Sequence, residues 1–301
     1  MKSRLLSIAV IAGMLFLFTG AGFCQDKISM SDWVEKVNQG SVNWSAGYIE
    51  AVGVGAVPER SIGKTNARPM ALRAAKVDAL RNLLEITKGV QVDSATSVKD
   101  FMVESDVINT KVEGLVKGAQ VVKTEYMSDG TAEVTLRMPL YGGILAQTIL
   151  PPAMAKPPAP PEPAPAAPAP VAPAPAVTAP AAPAPAAPAA YTGMVVDARG
   201  IQARPAMSPR VFDEDGKEVY GSANVDREYA VQQGMSGYAR DLNAAQSNQR
   251  VTANPITVKA LRSSGAGKSD LIISNADAQQ IRSAAENMTF MKKCRVMVVL
   301  D

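Results

Sequence analysis

The clearest pattern in the chain is a strict alternation of apolar and polar positions that follows a short polar turn. The alternating apolar residues are Ala132, Val134, Leu136 and Met138. Such a period of two is typical of a strand with one buried face. Asp129 and Gly130, just before this run, form a pair that tight hairpin turns prefer. We therefore predict an antiparallel hairpin of residues 119–127 and 131–139.

A long helical pattern precedes the hairpin, over residues 67–88, after an expected strand at residues 47–57. Asn66 is the expected N-cap of this helix. Apolar residues lie on two roughly opposite stripes, so we expect the helix to be buried on two sides. One stripe contains Leu72, Ala75, Ala79, Leu83 and Ile86, and the other contains Met70, Ala74, Val77, Leu80 and Leu84. With further helical stretches near residues 104–116 and 144–150, this part is expected to be a compact α+β domain.

A second set of elements follows near the C-terminus. We expect strands at residues 193–198, 256–262, 270–274 and 295–300, a helix at residues 275–287 capped by Asn275, and a hairpin around Asp215 and Gly216. This part is also expected to be α+β.

Between these parts, residues 151–190 consist almost entirely of Pro and Ala, with Lys156 and Glu162 as the only charged residues. Such a segment forms neither helix nor sheet, so we expect a disordered, semi-rigid linker. A proline-rich ligand for an aromatic groove is the alternative. The predicted fold is two small α+β domains, residues 25–150 and 191–301, which the linker holds apart.

The N-terminus has the pattern of an export signal. Lys2 and Arg4 precede an apolar run over residues 5–18, which ends in small residues. We predict a signal peptide over residues 1–24, because the run is shorter than the roughly 20 residues that a membrane-spanning helix needs. The expected localisation is the periplasm or the outer membrane.

Cys24 raises the question of lipidation. Lipoprotein processing requires a small residue before the cysteine, whereas Phe23 stands there. Ordinary cleavage is the favoured interpretation, and lipidation of Cys24 is the alternative. After cleavage Cys294 would be the only cysteine, and we expect it to be a buried small residue at the last strand.

Composition argues against most enzyme classes. The chain has no histidine, which removes His-based nucleophile pairs and His-ligated zinc. Its 31 basic and 28 acidic residues give no polyanion-binding surplus, so no nucleic-acid partner is expected. We predict a protein that is not an enzyme and needs no cofactor or metal.

Two stretches imitate a phosphate-binding loop, residues 58–65 and residues 262–269. Both lack the leading glycine, since Pro58 and Arg262 stand at that position. The second stretch also joins two expected strands rather than opening a helix. Ordinary turns are the favoured interpretation of both.

Two other motifs are equally incomplete. Gly53 and Gly55 lack the third glycine of a dinucleotide fingerprint, so a close strand-to-helix turn is preferred. The acidic run from Asp213 to Asp215 resembles the start of a calcium loop, but no acid follows at the spacing that closes one. We expect a polar hairpin turn there.

The candidate site is a charged cluster after the first strand of the second domain. It contains Asp197, Arg199, Arg204 and Arg210. Arginine forks bind carboxylates through paired hydrogen bonds, so this loop is a candidate site for an anionic group such as a cell-wall carboxylate. A structural charge network is the alternative.

Four motifs in the first domain carry a resemblance to a known family. They are W-x-x-G-Y-I-E-A-x-G-x-G from Trp44, A-R-x-x-A-x-x-A-A-x-x-D-A-x-R-N-L-L-E from Ala67, V-x-G-x-V-K-G-A from Val112 and D-G-x-A-x-V from Asp129. Over residues 44–141 the chain resembles the lipoprotein-20 family of bacterial envelope lipoproteins, which is similar to the N-terminal domain of flagellar assembly protein T. The resemblance implies a non-catalytic α+β module associated with the outer membrane or with flagellar structures.

The predicted function is therefore a non-enzymatic assembly or scaffold protein of the cell envelope, with envelope proteins as partners. A periplasmic module that binds peptidoglycan or a surface component is the first alternative. A surface antigen or adhesin is the second.

Overall fold

The computed structural model describes residues 32–150, 191–283 and 287–301. The expected signal peptide, Cys24 and the Pro/Ala-rich linker lie outside these residues. Helices and strands alternate in both described parts, so the predicted arrangement of two α+β domains is confirmed.

The first domain is built on a five-stranded antiparallel sheet in the order β1-β2-β3-β5-β4. Its strands are β1 (Val34–Val37), β2 (Gly40–Asn43), β3 (Tyr48–Gly55), β4 (Gln120–Tyr126) and β5 (Ala132–Pro139). Its helices are α1 (Ala67–Gly89), α2 (Val98–Glu104), α3 (Asp106–Lys117) and α4 (Ile144–Ile149). The predicted hairpin is confirmed as β4 and β5, and the four alternating apolar residues of β5 are all buried.

Helix α1 lies directly against β3, and glycines make this close approach possible. A Cβ atom added to Gly53 would lie 2.1 Å from the backbone nitrogen of Ala79. One added to Gly55 would lie 2.1 Å from the carbonyl oxygen of Ala71. The Gly-x-Gly of β3 therefore serves helix–sheet packing, which accounts for the glycines without a nucleotide.

Two expectations about α1 were wrong. Only one side of the helix is buried, and on the second stripe Val77 is 54% exposed while Ala74 is also exposed. Asn66 has helical backbone angles, and its side chain caps no N–H group. The expected bounds of the helix are nevertheless confirmed to within one residue.

The second domain contains a mixed seven-stranded sheet in the order β8-β7-β11-β10-β6-β12-β9. Its strands are β6 (Gly193–Asp197), β7 (Val211–Phe212), β8 (Glu218–Tyr220), β9 (Gly237–Ala239), β10 (Pro255–Ser264), β11 (Asp270–Ile273) and β12 (Val296–Val299). Its helices are α5 (Arg227–Gln233), α6 (Leu242–Gln246), α7 (Asn275–Ser283) and α8 (Asn287–Lys292). Strand β6 pairs in parallel with β10 and β12, so it is a buried interior strand of the sheet.

All the expected strands of this domain are present, as is the hairpin of β7 and β8 around Asp215 and Gly216. The side chain of Ser274, rather than that of Asn275, accepts a hydrogen bond from the first turn of α7, at 3.1 Å from the backbone nitrogen of Asp277. Cys294 is fully buried just before β12, as expected. The expected helix at residues 275–287 is observed as α7, Asn275–Ser283, and helices α5, α6 and α8 and strand β9 were not predicted.

Candidate functional site

The two domains contact each other directly. Backbone N–H groups of Met207 and Ser208 donate to the carbonyl oxygens of Gln91 and Val92, at 3.0 and 2.7 Å. Apolar residues of both domains belong to one continuous buried cluster. The expectation that the linker holds the domains apart is therefore wrong, because the domains form a shared junction.

The turn between β10 and β11 is one part of this junction. The backbone N–H of Gly267 donates to the carbonyl oxygen of Ser94 at 2.6 Å. A Cβ atom on Gly265, which has a φ of +79°, would lie 2.3 Å from the Cβ of Ser94. The stretch that imitates a phosphate loop is therefore a strand-joining turn, as expected, and its glycines allow the first domain to approach.

An ion pair lies beside this turn. Arg210 donates to Asp270 through Nη2 at 2.7 Å and through Nε at 3.2 Å. Ser94 of the first domain donates to the same carboxylate at 2.6 Å and accepts from Arg210 at 3.0 Å. The hydrogen bond with Asp270 raises the pKa of the Arg210 guanidinium. Arg210 thus belongs to a charge network that includes both domains.

The other members of the predicted anion site also have partners. Arg204 pairs with Glu35 of the first domain at 2.6 Å, and Arg199 pairs with Asp197 at 2.7 Å. The Arg199 side chain holds the pKa of the Asp197 carboxyl below its usual range. Each arginine has a carboxylate of its own, so the structure arranges the cluster as the alternative charge network, and little net positive charge is left to attract an anion.

The acidic run is a hairpin turn as expected. Asp213 accepts from Arg282 at 2.8 Å and from the backbone nitrogen of Lys217, also at 2.8 Å. The bond from Arg282 lowers the pKa of the Asp213 carboxyl. These contacts give the carboxylate a structural role in the turn between β7 and β8.

A cleft of about 410 Å³ opens where the domains meet, and we call it the junction cleft. Its main side chains are Trp44, Ser45 and Tyr141 of the first domain and Ser236, Tyr238 and Arg250 of the second. Small-molecule sites typically measure 300–1,000 Å³ and favour domain interfaces. The rings of Trp44 and Tyr238 pack edge to face with centroids 5.7 Å apart. This contact holds both side chains in place in the wall of the cleft.

Arg250 is a half-buried cation whose partners among the described residues are all neutral. Its guanidinium donates to the carbonyl oxygens of Gly234 at 3.1 Å, of Cys294 at 2.8 Å and of Gln233. Among the described residues, no carboxylate lies within ion-pair distance of it, and its Nε has no acceptor. Burial lowers the pKa of this guanidinium from its ordinary value. Buried charges are usually paired, since desolvation costs several kcal/mol per ion.

Tyr141 faces the same cleft from the first domain. Its hydroxyl is buried and has no hydrogen-bond partner among the described residues. Leaving a buried donor unpaired costs roughly 1–3 kcal/mol. Burial also raises the pKa of this hydroxyl well above its ordinary value, so it stays protonated as a donor. The ring fits only because Gly234, which has a φ of +81°, has no side chain: a Cβ there would lie 2.8 Å from the Tyr141 Cζ.

Sequence reasoning missed the junction cleft altogether. Tyr141 follows a hairpin, and Arg250 lies in a polar loop more than a hundred residues later. No short motif connects them. Gly47 and Gly234, which both contact the Tyr141 ring, were the only local signal, and glycines in loops have many other causes.

Residues 193–301 match the family model of the second domain of Treponema pallidum Tp0624. The match covers about a third of the chain and includes β6 to β12. A comparison with curated proteins gives no match. Among the described residues, no helix is both long enough and apolar enough to cross a bilayer.

Proposed function

We propose that this protein is a non-enzymatic, exported component of the bacterial cell envelope that acts in assembly or as a scaffold, at the outer membrane or the flagellar apparatus. The export pattern of residues 1–24 and the resemblance of residues 44–141 to envelope lipoproteins support this proposal. The observation that carries it is the open edge of the first domain's sheet.

That edge is β4. Within the described part of the chain, β4 pairs with β5 alone, so its outer N–H and C=O groups have no strand beside them. Every side chain of β4 except that of Glu125 is exposed. Val121 and Val122 are 47% and 44% exposed, and Tyr126 is exposed beside them. An exposed edge with apolar side chains is a template for an added strand from a partner.

The opposite edge of the same sheet is covered. Glu35 of β1 pairs with Arg204, and Trp33 just before β1 donates to the backbone oxygen of Asp301 at 3.0 Å. The second domain therefore covers one edge and leaves β4 open.

Two features of β4 favour a specific partner over a second copy of the chain. A bulge interrupts the pairing with β5 between Val121 and Lys123. The side chains of Lys123 and Glu125 form a solvent-exposed ion pair at 2.9 Å along this strand. Bulges and charges on an edge hinder indiscriminate strand pairing. We therefore expect an extended segment of another envelope protein to bind here.

Photo-crosslinking in intact cells tests this proposal. A photoreactive residue at position 122 should capture one envelope protein, while the same residue at Gln249, an exposed position of the second domain, should not. With the photoreactive residue at position 122, Val121→Lys should abolish capture without unfolding the protein, and Leu261→Lys, at a similarly exposed position, is the matched control. Equal capture at positions 122 and 249, or capture of the chain by itself, would contradict the proposal.

The same cells report on export. Mass spectrometry of the mature N-terminus should show a chain that begins near Gln25, and an acylated Cys24 would establish the lipoprotein alternative. An uncleaved N-terminus in the cytoplasm would refute the envelope assignment.

A second candidate function is a periplasmic module that binds a cell-wall or surface component. The junction cleft favours it, because its Arg250 has no carboxylate partner among the described residues.

A further inference from the structure

We propose that the junction cleft binds a small molecule that carries a single carboxylate, held by the Arg250 guanidinium and the Tyr141 hydroxyl. This site is separate from the β4 edge, so the proposal of a ligand here does not depend on the proposed assembly function. It also differs from the arginine cluster of Arg199, Arg204 and Arg210, in which every arginine already has an acidic partner.

The first argument is charge. The three carbonyl oxygens around Arg250 hold the guanidinium in place but leave its positive charge uncompensated. Arg210, by contrast, has the carboxylate of Asp270 at 2.7 Å. A carboxylate in the cleft would give the half-buried Arg250 guanidinium an anionic partner, to which it can donate paired hydrogen bonds.

The second argument is an unused donor. The Tyr141 hydroxyl is buried and unpaired among the described residues, although buried polar groups in folded proteins nearly always have a partner. A bound carboxylate oxygen would accept its proton. The ring cannot move towards the protein to find another acceptor, because it is confined between Gly47 and Gly234.

The third argument is convergence. Gly234 connects the two groups, because its carbonyl oxygen accepts from Arg250 at 3.1 Å and its Cα faces the Tyr141 Cζ. The cation of one domain and the hydroxyl of the other therefore approach the cleft from the same corner. A carboxylate has two oxygens and can accept from both donors at once.

The charge of the lining sets the class of ligand. One guanidinium balances the charge of a monoanion, whereas a dianion such as phosphate would leave a net negative charge in the cleft. Gln232 and Asn248 add neutral amide groups for the rest of the molecule. The volume of about 410 Å³ accommodates a small polar compound rather than a polymer chain.

Matched ligands test the carboxylate directly. We would record saturation-transfer difference NMR spectra of the full chain with two pairs of probes: lactate with lactamide, and N-acetylmuramic acid with N-acetylglucosamine. Lactate and lactamide differ only in the carboxyl group, and N-acetylmuramic acid differs from N-acetylglucosamine by a lactyl ether that carries the carboxylate. At least one carboxylate should bind at millimolar concentration, and its neutral partner should bind at least tenfold more weakly.

A conservative substitution tests the site. Tyr141→Phe removes only the hydroxyl and should weaken binding of that carboxylate roughly tenfold or more, since a hydrogen bond to a charged group is lost. Tyr229→Phe, at an exposed tyrosine of α5, should leave binding unchanged. Because Arg250 also holds three carbonyls, its replacement by Lys could unfold the junction, so Tyr141→Phe is the decisive variant.

Three results would overturn the inference: no binding of either carboxylate, equal binding of a neutral partner, or wild-type affinity in Tyr141→Phe. Tighter binding of inorganic phosphate than of the carboxylates would overturn the ligand class. None of these results bears on crosslinking at position 122, so the two proposals fail separately.

Discussion

The contact between α1 and β3 and the contact between the two domains are made by different kinds of groups. Where α1 crosses β3, the contact consists of glycine and alanine with backbone against backbone, and no side chain fits between. Where the two domains meet, the contact contains ion pairs, tyrosine side chains and a cleft. The α1–β3 contact is too close to admit a side chain and serves only packing. The domain contact contains a polar group without a hydrogen-bond partner among the described residues, the Tyr141 hydroxyl, and this is typical of a binding site.

The largest expected effect comes from a substitution that disrupts the contact between α1 and β3. Gly53→Ala places a Cβ 2.1 Å from the backbone of Ala79, so α1 must move away from the sheet. We expect the free energy of unfolding to fall by about 3 kcal/mol in urea denaturation.

Gly114→Ala is the matched control for this loss. Gly114 lies inside α3 with open space around it, so the substitution should stabilise the protein by roughly 0.5–1 kcal/mol. If both variants gave similar stability, the close approach of α1 to β3 would be wrong.

An intermediate effect depends on pH and concerns Cys294 of the second domain, whose carbonyl oxygen accepts from Arg250 of the junction cleft. Burial raises the pKa of the Cys294 thiol to about 11. The unfolded chain loses this proton near pH 8.5–9, so the stabilising contribution is complete below that pH and is lost as the pH rises towards 11. Between pH 8.5 and pH 10.5 the unfolding free energy should fall by on the order of 2 kcal/mol more than in Cys294→Ala.

Urea denaturation of both proteins at the two pH values measures this difference. Tyr238, whose pKa burial raises to about 12, contributes equally to both proteins and cancels. Parallel pH curves for the two proteins would mean that the thiol is not buried in solution.

The smallest effects come from two tyrosines of the junction cleft. The Tyr238 hydroxyl donates to the carbonyl oxygen of Ala206 at 2.7 Å and accepts from its nitrogen at 3.0 Å. Tyr238→Phe should therefore cost about 1.5 kcal/mol. Tyr141→Phe removes a hydroxyl that has no hydrogen-bond partner within residues 32–150, 191–283 and 287–301, so the ligand-free protein should keep its stability or gain a few tenths of a kcal/mol.

Thermal unfolding without ligand checks this pair. A loss in Tyr141→Phe as large as that in Tyr238→Phe would show that the Tyr141 hydroxyl already has a partner inside the protein. The unpaired donor of the junction cleft would then not exist.

Most of the fold was predictable because its signals are local. The hairpin of β4 and β5 needs only Asp129-Gly130 and alternation, and the bounds of α1 follow from its composition. The buried side of α1 was harder, because alanine is nearly neutral to burial: Ala71 is fully buried and Ala74 is exposed, although both belong to the same run. Which side faces β3 is decided by the glycines of the strand.

The candidate site was not predictable, because its contacts span the chain. Arg204 pairs with Glu35 across 169 residues, and the Arg210 network includes Ser94 across 116. A cluster of arginines in sequence looks available for a ligand until these distant acids are seen. Arg250 has no such acid in the part of the chain that the structure describes, and nothing in the sequence around it distinguishes it from Arg204 or Arg210.

The direct docking of the domains also changes the meaning of the 40 residues between them. Leu150, the last described residue of the first domain, is buried, and its carbonyl oxygen accepts from Arg227 of the second domain. Both ends of the intervening segment are thus attached to one folded body, and the segment closes a loop. Its thermodynamic role is to keep the local concentration of one half around the other high. A protease cut between residues 151 and 190 should therefore leave a nicked protein whose two fragments stay together and migrate as one particle.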